Sequence, residues 1–343
     1  MGIFFSGILI PFLGLLAMTL YKGEYCSFLG EVGKRWGFLL ATMIIALIGP
    51  FGVLPRCITV SFGSVKGLFP NLSLESFSAI ATLAIFFFSW KRGRILDLLG
   101  KFLTPLLLLS LFMIIACGWK HFGTFSSSNG TALQNFTRGM IEGYGTMDLL
   151  ASFFFSSAVI ELLKRKLQRG NVIFDPLKVS LSSSCVGMVL LSTIYFFLVL
   201  LAASFSDQLI IVPEEELLVS IAHLTLSSWG GWIFALVVAL ACLTTAISLT
   251  LASSDFLRKE LLGRWKKISH TTSLCIILAI GFVVSTLQFS GISRFLTPII
   301  QVIYPALIVL TLCNIIKKLY GFSHTKICFW IALFCSLCNY RLH

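Results

Sequence analysis

With 343 residues, a mean hydropathy of +0.96, only 12% charged residues and 32 phenylalanines, the chain lies outside the composition of water-soluble domains. A net charge of +12 would suit nucleic acid, but the basic residues form short clusters between apolar runs, so no nucleic-acid partner is expected and contact with membrane lipid is. The ten cysteines do not make a disulfide scaffold: most stand singly in apolar segments (Cys185, Cys242, Cys275, Cys313), and the CxxC of Cys335 and Cys338 has no second pair or nearby histidine.

A hydrocarbon core about 30 Å thick needs roughly 20 apolar residues per helix. Windows between charge clusters predict about ten such helices, an all-α polytopic membrane bundle, at 3–20, 36–57, 76–90, 102–119, 140–163, 179–205, 229–252, 271–289, 292–316 and 326–340. Met1 runs straight into the first of them without a basic n-region or a small-residue cleavage site, so no cleavable signal peptide is expected.

Every second loop is basic, beginning with Lys22, Lys34 and Arg35, continuing through Lys91, Arg92, Arg94 and Lys101 and through Lys164 to Lys178, then Arg258 to Lys267, and ending at Lys317, Lys318 and Lys326. The intervening loops are poor in lysine and arginine, and one carries Asp207 and the acidic run Glu214, Glu215 and Glu216. The positive-inside rule puts the basic loops in the cytoplasm, which makes the first helix run from outside to inside and raises the expectation of a further helix upstream.

Glycine and proline interrupt several spans: Gly49, Pro50, Gly52 and Pro55 in the second, Pro105 in the fourth, Gly143 and Gly145 in the fifth, Pro298 and Pro305 in the ninth. Each proline removes a backbone donor and frees a carbonyl that lipid cannot satisfy. Such breaks either pack as kinks or, as in transporters, supply helix ends and bare carbonyls to substrate and ion.

Within the fifth span, "GYGTMD" (Gly143 to Asp148) puts a carboxylate where an ionised group costs several kcal/mol unless it is paired, hydrated or protonated. Tyr144, Asp148, Ser152 and Ser156 recur every four residues and predict a polar stripe turned to the bundle interior. Glu161, with Lys164 and Arg165 three and four residues on, reads instead as part of a solvated pair.

The seventh span holds "ACLTTAISLTLASSDF", in which Ala241, Thr244, Thr245, Ser248 and Ala252 share a face. Such a stripe serves close helix packing, or its hydroxyls offer the hard oxygen ligands that Na⁺ prefers. No enzymatic reading finds support: the five histidines stand singly, HExxH, GxSxG and P-loop patterns are missing, and no metal is expected.

Four stretches together, "GPFGVLPRCITVSF" (Gly49 to Phe62), "GYGTMDLLASFFF" (Gly143 to Phe155), "ACLTTAISLT" (Ala241 to Thr250) and "QVIYPALIVL" (Gln301 to Leu310), resemble the bacterial branched-chain amino acid carriers of the BrnQ or LIVCS type over essentially the whole chain. The resemblance implies a secondary transporter of the bacterial inner membrane that imports leucine, isoleucine and valine with Na⁺ or H⁺, within the LeuT-like inverted-repeat superfamily. It implies that the visible spans are family helices two to eleven, with 1–119 the remainder of the first repeat, 138–316 the second repeat and 326–340 a peripheral helix. The family's glycine-rich "GAGN"-like first helix and its last helix have no counterpart here.

On this reading the fifth span is the discontinuous helix that opens the second repeat, unwound at Gly143 and Gly145. The expected substrate-binding residues are Gly143, Tyr144, Gly145, Thr146, Asp148 and Ser152, and the expected ion-binding residues are Ala241, Thr244, Thr245 and Ser248. Na⁺ is expected ahead of H⁺, with no other cofactor. The competing readings are a non-transporting remnant and a carrier for another small apolar solute.

Overall fold

The computed structural model describes residues 2–90, 94–121, 131–168, 176–226, 228–261, 268–321 and 323–342, and among them every regular element is helical. The basic-loop residues Lys91, Arg92, Arg169, Arg264, Lys266 and Lys267 lie outside the described residues.

In chain order, α1 (Gly2–Phe4), a π-helical turn (Phe5–Leu9) and α2 (Ile10–Leu20) form one rod. Then come α3 (Tyr25–Gly30), α4 (Lys34–Ile48), α5 (Val53–Lys66), α6 (Leu74–Trp90), α7 (Arg94–Gly118), α8 (Ala132–Gly145) and α9 (Asp148–Gln168). The chain continues with α10 (Pro176–Ser204), α11 (Ser206–Leu209), α12 (Leu217–Thr225), α13 (Ser228–Phe256), α14 (His270–Ser285), α15 (Gln288–Tyr320) and α16 (Thr325–Leu342). Each of the ten predicted spans falls on one of these helices or on a joined pair. Five stretches are long and apolar enough to cross a membrane: Gly2–Leu20, Lys34–Lys66, Lys178–Ser204, Trp229–Leu261 and Gln288–Tyr320. Shorter apolar helices cover Leu74–Trp90, Thr104–Gly118, His270–Ser285 and Thr325–Tyr340. The molecule is a polytopic helical membrane bundle.

The packing divides into two units. The first comprises Met1–Ile44, Asn129–Thr193 and Phe295–His343. Its spine is the opening rod laid along α8 and α9, and the glycines show how closely. A Cβ on Gly2 would fall 2.0 Å from the Phe136 carbonyl oxygen, one on Gly143 2.0 Å from Ser6 Oγ, and one on Gly14 2.5 Å from Ser152 Oγ. The paired numbers rise together, so the two rods run parallel, as the alternation of basic loops requires of the first and fifth spans.

At the basic end of this unit the chain turns through Lys22 and Gly23, both at positive φ. Ser157 Oγ donates to the Gly23 carbonyl at 2.5 Å and Lys164 Nζ to the Lys22 carbonyl at 2.8 Å. Nearby, Glu31 pairs with Lys317 and accepts from the Tyr21 hydroxyl at 3.1 Å, and Lys318 stands over the Tyr21 ring. Burial first, then the Glu31 charge, pushes the Tyr21 phenol up from its ordinary pKa.

Pro298 and Pro305 sit inside α15 without interrupting it. Pro305 lacks the N–H that would bond the Gln301 carbonyl, and Ser336 Oγ of α16 donates to that carbonyl instead, at 3.0 Å. The last helix is thereby tied to α15, and a Trp36–Trp330 edge contact ties it to α4 as well.

The second unit, Ile45–Ser128 and Ile194–Arg294, is organised around α13, which packs on α5, α6, α7, α12 and α14. Leu54, Ile58, Ile85, Ile247 and Ile277 supply its core. Here the second span does break, between Ile48 and Val53. Pro50 has no N–H, so the Phe51 N–H reaches back to the Ala46 carbonyl at 3.1 Å, and the Gly52 and Leu54 N–H groups both turn to the Gly49 carbonyl. Gly49 is required at this point, because a Cβ would stand 2.2 Å from Ser253 Oγ of α13. Beyond the sixth span, α11, an acidic turn (Glu214–Glu216) and α12 form helical structure that the sequence pattern did not predict.

Candidate functional site

The start of α8 is fixed by a capping box: the Gln134 N–H donates to Thr131 Oγ1 at 3.3 Å, and the Thr131 N–H donates to Gln134 Oε1 at 3.1 Å. From there α8 runs through Gly143, Tyr144 and Gly145, and stops at Thr146. Met147 takes the left-handed conformation, φ 59°, and Asp148 is the first residue of α9. The fifth span is therefore discontinuous.

The place of the break corrects the sequence reading in detail. Neither glycine is unwound. Gly143 is helical and buried against Ser6 and Gly7, so its lack of a side chain serves packing, while a Cβ on Gly145 would meet nothing within 4 Å. Beyond the break, Phe153 to Ser157 lie inside continuous α9. The predicted stripe is split as well: Tyr144 belongs to α8, whereas Asp148, Ser152 and Ser156 belong to α9, where Ser152 Oγ donates to the Leu149 carbonyl at 2.7 Å and Ser156 Oγ donates to the Ser152 carbonyl.

The polar groups at the break are held from two sides. Thr146 Oγ1 donates to the Gly143 carbonyl at 2.8 Å, closing the last turn of α8. The Leu149 N–H, an orphan donor of the first turn of α9, donates to the Tyr304 hydroxyl of α15 at 3.1 Å. Tyr304 is 1% exposed and stacks on Tyr144, centroid to centroid 4.7 Å, so one ring bridges both halves of the broken span. Beside them Asp148 is half-buried, and its Oδ2 is shut from solvent with no hydrogen-bond partner. An unmatched carboxylate oxygen here is a receptor for a cationic group, whether an ammonium, a metal cation or a proton. Tyr304 was missed as a site residue, although its stretch, "QVIYPALIVL", had contributed to the resemblance.

The second predicted set lies on continuous α13, in the second unit. The hydroxyls of Thr244 and Thr245 both donate to the Ala241 carbonyl, at 2.9 and 3.0 Å, and Ser248 Oγ donates to the Thr244 carbonyl at 3.0 Å. Ala241, Thr244, Thr245 and Ser248 thus form one connected patch. Because each hydroxyl proton points back to its own helix, the oxygen lone pairs are left facing outward; Thr245 is the exposed member. Among the described residues no cluster of His, Cys, Asp or Glu has metal-ligand character.

A many-spanning bundle with a discontinuous helix, a half-buried acid at the break and a separate hydroxyl patch fits the class of membrane carriers. The chain belongs to the family described as branched-chain amino acid transport protein, which it matches over residues 1–341. It is similar to a "Putative branched-chain amino acid carrier protein" of Staphylococcus saprophyticus, 26% identical over 332 residues that cover 91% of this chain and 73% of the relative. Proteins of the same name from Staphylococcus epidermidis and Staphylococcus aureus are 26% identical over 333 residues, with the same coverage.

Proposed function

We propose that the protein is a secondary active transporter of the bacterial inner membrane that imports leucine, isoleucine and valine by alternating access, driven by a cation gradient, with Na⁺ ahead of H⁺. The observation that carries this reading is the break at Thr146 and Met147, where Asp148 opens α9 with a buried carboxylate oxygen that has no partner. In the expected LeuT-like arrangement, with 1–119 and 138–316 as the two repeats, Gly143, Tyr144, Gly145, Thr146, Asp148 and Ser152 form the substrate wall. Tyr304 fixes its geometry, and Ala241, Thr244, Thr245 and Ser248 hold the ion.

The same Asp148 oxygen supports a second reading, in which it takes a proton and H⁺ drives uptake. One experiment separates the two. The chain is reconstituted in proteoliposomes and radiolabelled leucine uptake is followed while Na⁺ and pH gradients are imposed singly. Accumulation that follows the Na⁺ gradient supports the first reading and accumulation that follows pH the second. Uptake that persists with both gradients dissipated rejects cation-driven transport, and no uptake at all sinks the carrier proposal in favour of a non-transporting remnant.

A further inference from the structure

Most described hydroxyls of α13 are committed within the protein. Thr244, Thr245, Ser248 and Thr250 donate to carbonyls of their own helix, and Ser254 bonds Ser273 of α14 at 2.6 Å. Ser253 does neither: it is 1% exposed, and its Oγ has no hydrogen-bond partner among the described residues. A serine inside a helix ordinarily bonds the carbonyl four residues back, and a buried hydroxyl that forgoes this bond is costly.

The Ser253 hydroxyl lies against the break between α4 and α5, since its Oγ is 2.2 Å from where a Cβ on Gly49 would stand. That break leaves carbonyls over. Because Pro50 has no N–H, the Phe51 N–H goes to Ala46 instead of Leu47, and the Gly52 and Leu54 N–H groups go to Gly49 instead of Ile48 and Pro50. The Leu47, Ile48 and Pro50 carbonyls therefore receive no backbone N–H among the described residues, although all three residues are buried. The Pro50 carbonyl oxygen lies 4.0 Å from where a Cβ on Gly281 of α14 would stand. All of these groups belong to the second unit.

Unmatched carbonyls are rare in buried backbone and rarer in a membrane span. They cannot satisfy one another, because a carbonyl only accepts, and the one hydroxyl can donate to a single oxygen. A cation can engage several at once, and the C-terminal end of the α4 dipole favours it. With neutral oxygens alone, the set suits a monovalent hard cation rather than a divalent one, which draws on carboxylates. Ser253 is eight residues beyond Thr245, about 12 Å along α13, so this set is separate from the hydroxyl patch.

We propose that Ser253 Oγ and the freed carbonyls at the end of α4 form a second cation site, one that takes Na⁺. The site holds whether or not the chain carries leucine.

The test uses the purified full chain in nanodiscs without leucine, and follows thermal unfolding while NaCl replaces choline chloride at constant ionic strength. A Thr245→Val background silences the hydroxyl patch. In that background the unfolding temperature is expected to rise with Na⁺ and saturate. Adding Ser253→Ala should raise the Na⁺ concentration for half the rise about tenfold or more, as when one ligand is lost. In choline alone the same variant, relieved of an unmatched hydroxyl, should be at least as stable as its parent. Pro50→Ala is the independent check: it supplies an N–H for the Ala46 carbonyl and returns the Phe51 N–H to Leu47, so it should blunt the Na⁺ response while raising stability in choline. A Na⁺ response that survives both substitutions, or no response to Na⁺ beyond choline, would overturn the proposal. So would an Ser253→Ala protein equally destabilised in choline and in NaCl, which would assign the serine to packing.

Discussion

Replacing Asp148 by asparagine keeps the volume and one oxygen at the head of α9 but removes the charge. Because Oδ2 has no hydrogen-bond partner and asparagine keeps an oxygen for the Thr146 side chain, the fold should tolerate the substitution. Its effect should fall on the ligand: we expect leucine binding to weaken at least about tenfold, with unchanged elution on size exclusion, since a charge-assisted hydrogen bond is lost. Unaltered leucine affinity in Asp148→Asn would remove the acid from the site. Tyr304→Phe is the complementary case. The ring remains stacked on Tyr144, but the Leu149 N–H is left buried without an acceptor, at a cost of about 1–3 kcal/mol. That variant should unfold at a lower temperature and bind leucine less tightly. Normal thermal stability would mean that the Leu149 N–H has another acceptor.

At the level of the helices, the two glycines of "GYGTMD" are predicted to behave differently, although the sequence presents them as a matched pair. Alanine at Gly143 would put a methyl 2.0 Å from Ser6 Oγ and 3.2 Å from the Gly7 nitrogen, forcing the opening rod away from α8. Alanine at Gly145 meets nothing and replaces a helical glycine, a gain of up to about 1 kcal/mol. Thermal unfolding should therefore show Gly143→Ala destabilised and Gly145→Ala equal to or above the wild type; the reverse order would refute the parallel seam. The break itself settles on Met147 through a balance of magnitudes. A left-handed non-glycine residue costs roughly 1–2 kcal/mol, whereas burying a methionine side chain yields about 1.5–3 kcal/mol, and Met147 is 0% exposed. This explains why the sequence revealed that the span is discontinuous but not where. Glycines are read as points of unwinding, yet in a membrane they also let helices touch, and the balance at Met147 depends on neighbours that only the fold supplies.

Over the whole molecule, the apolar helices were legible because hydrophobic length acts over tens of residues, and the parallel course of the opening rod and α8–α9 agrees with the alternation of basic loops. The helices α11 and α12 were not, since four and nine residues are too few to cross a bilayer and hydrophobic length carries no signal there. The two predicted residue sets also fall in different units, one on the broken span and one on α13. Coupling therefore has to be tested across the molecule rather than inferred from one cluster. Thr245 is the place to do it: its hydroxyl proton is committed to the Ala241 carbonyl, so its role toward a cation is as an oxygen ligand, and valine removes that oxygen while keeping the branched shape. If Na⁺ drives transport through this patch, Thr245→Val should raise the half-saturating Na⁺ concentration about tenfold and leave leucine affinity at saturating Na⁺ unchanged, as expected when one ligand of a cation is lost. If H⁺ at Asp148 drives it instead, Thr245→Val should transport normally, whereas Asp148→Asn should lose its response to an imposed pH gradient. Measuring both variants under both gradients assigns the coupling ion to α13 or to the head of α9.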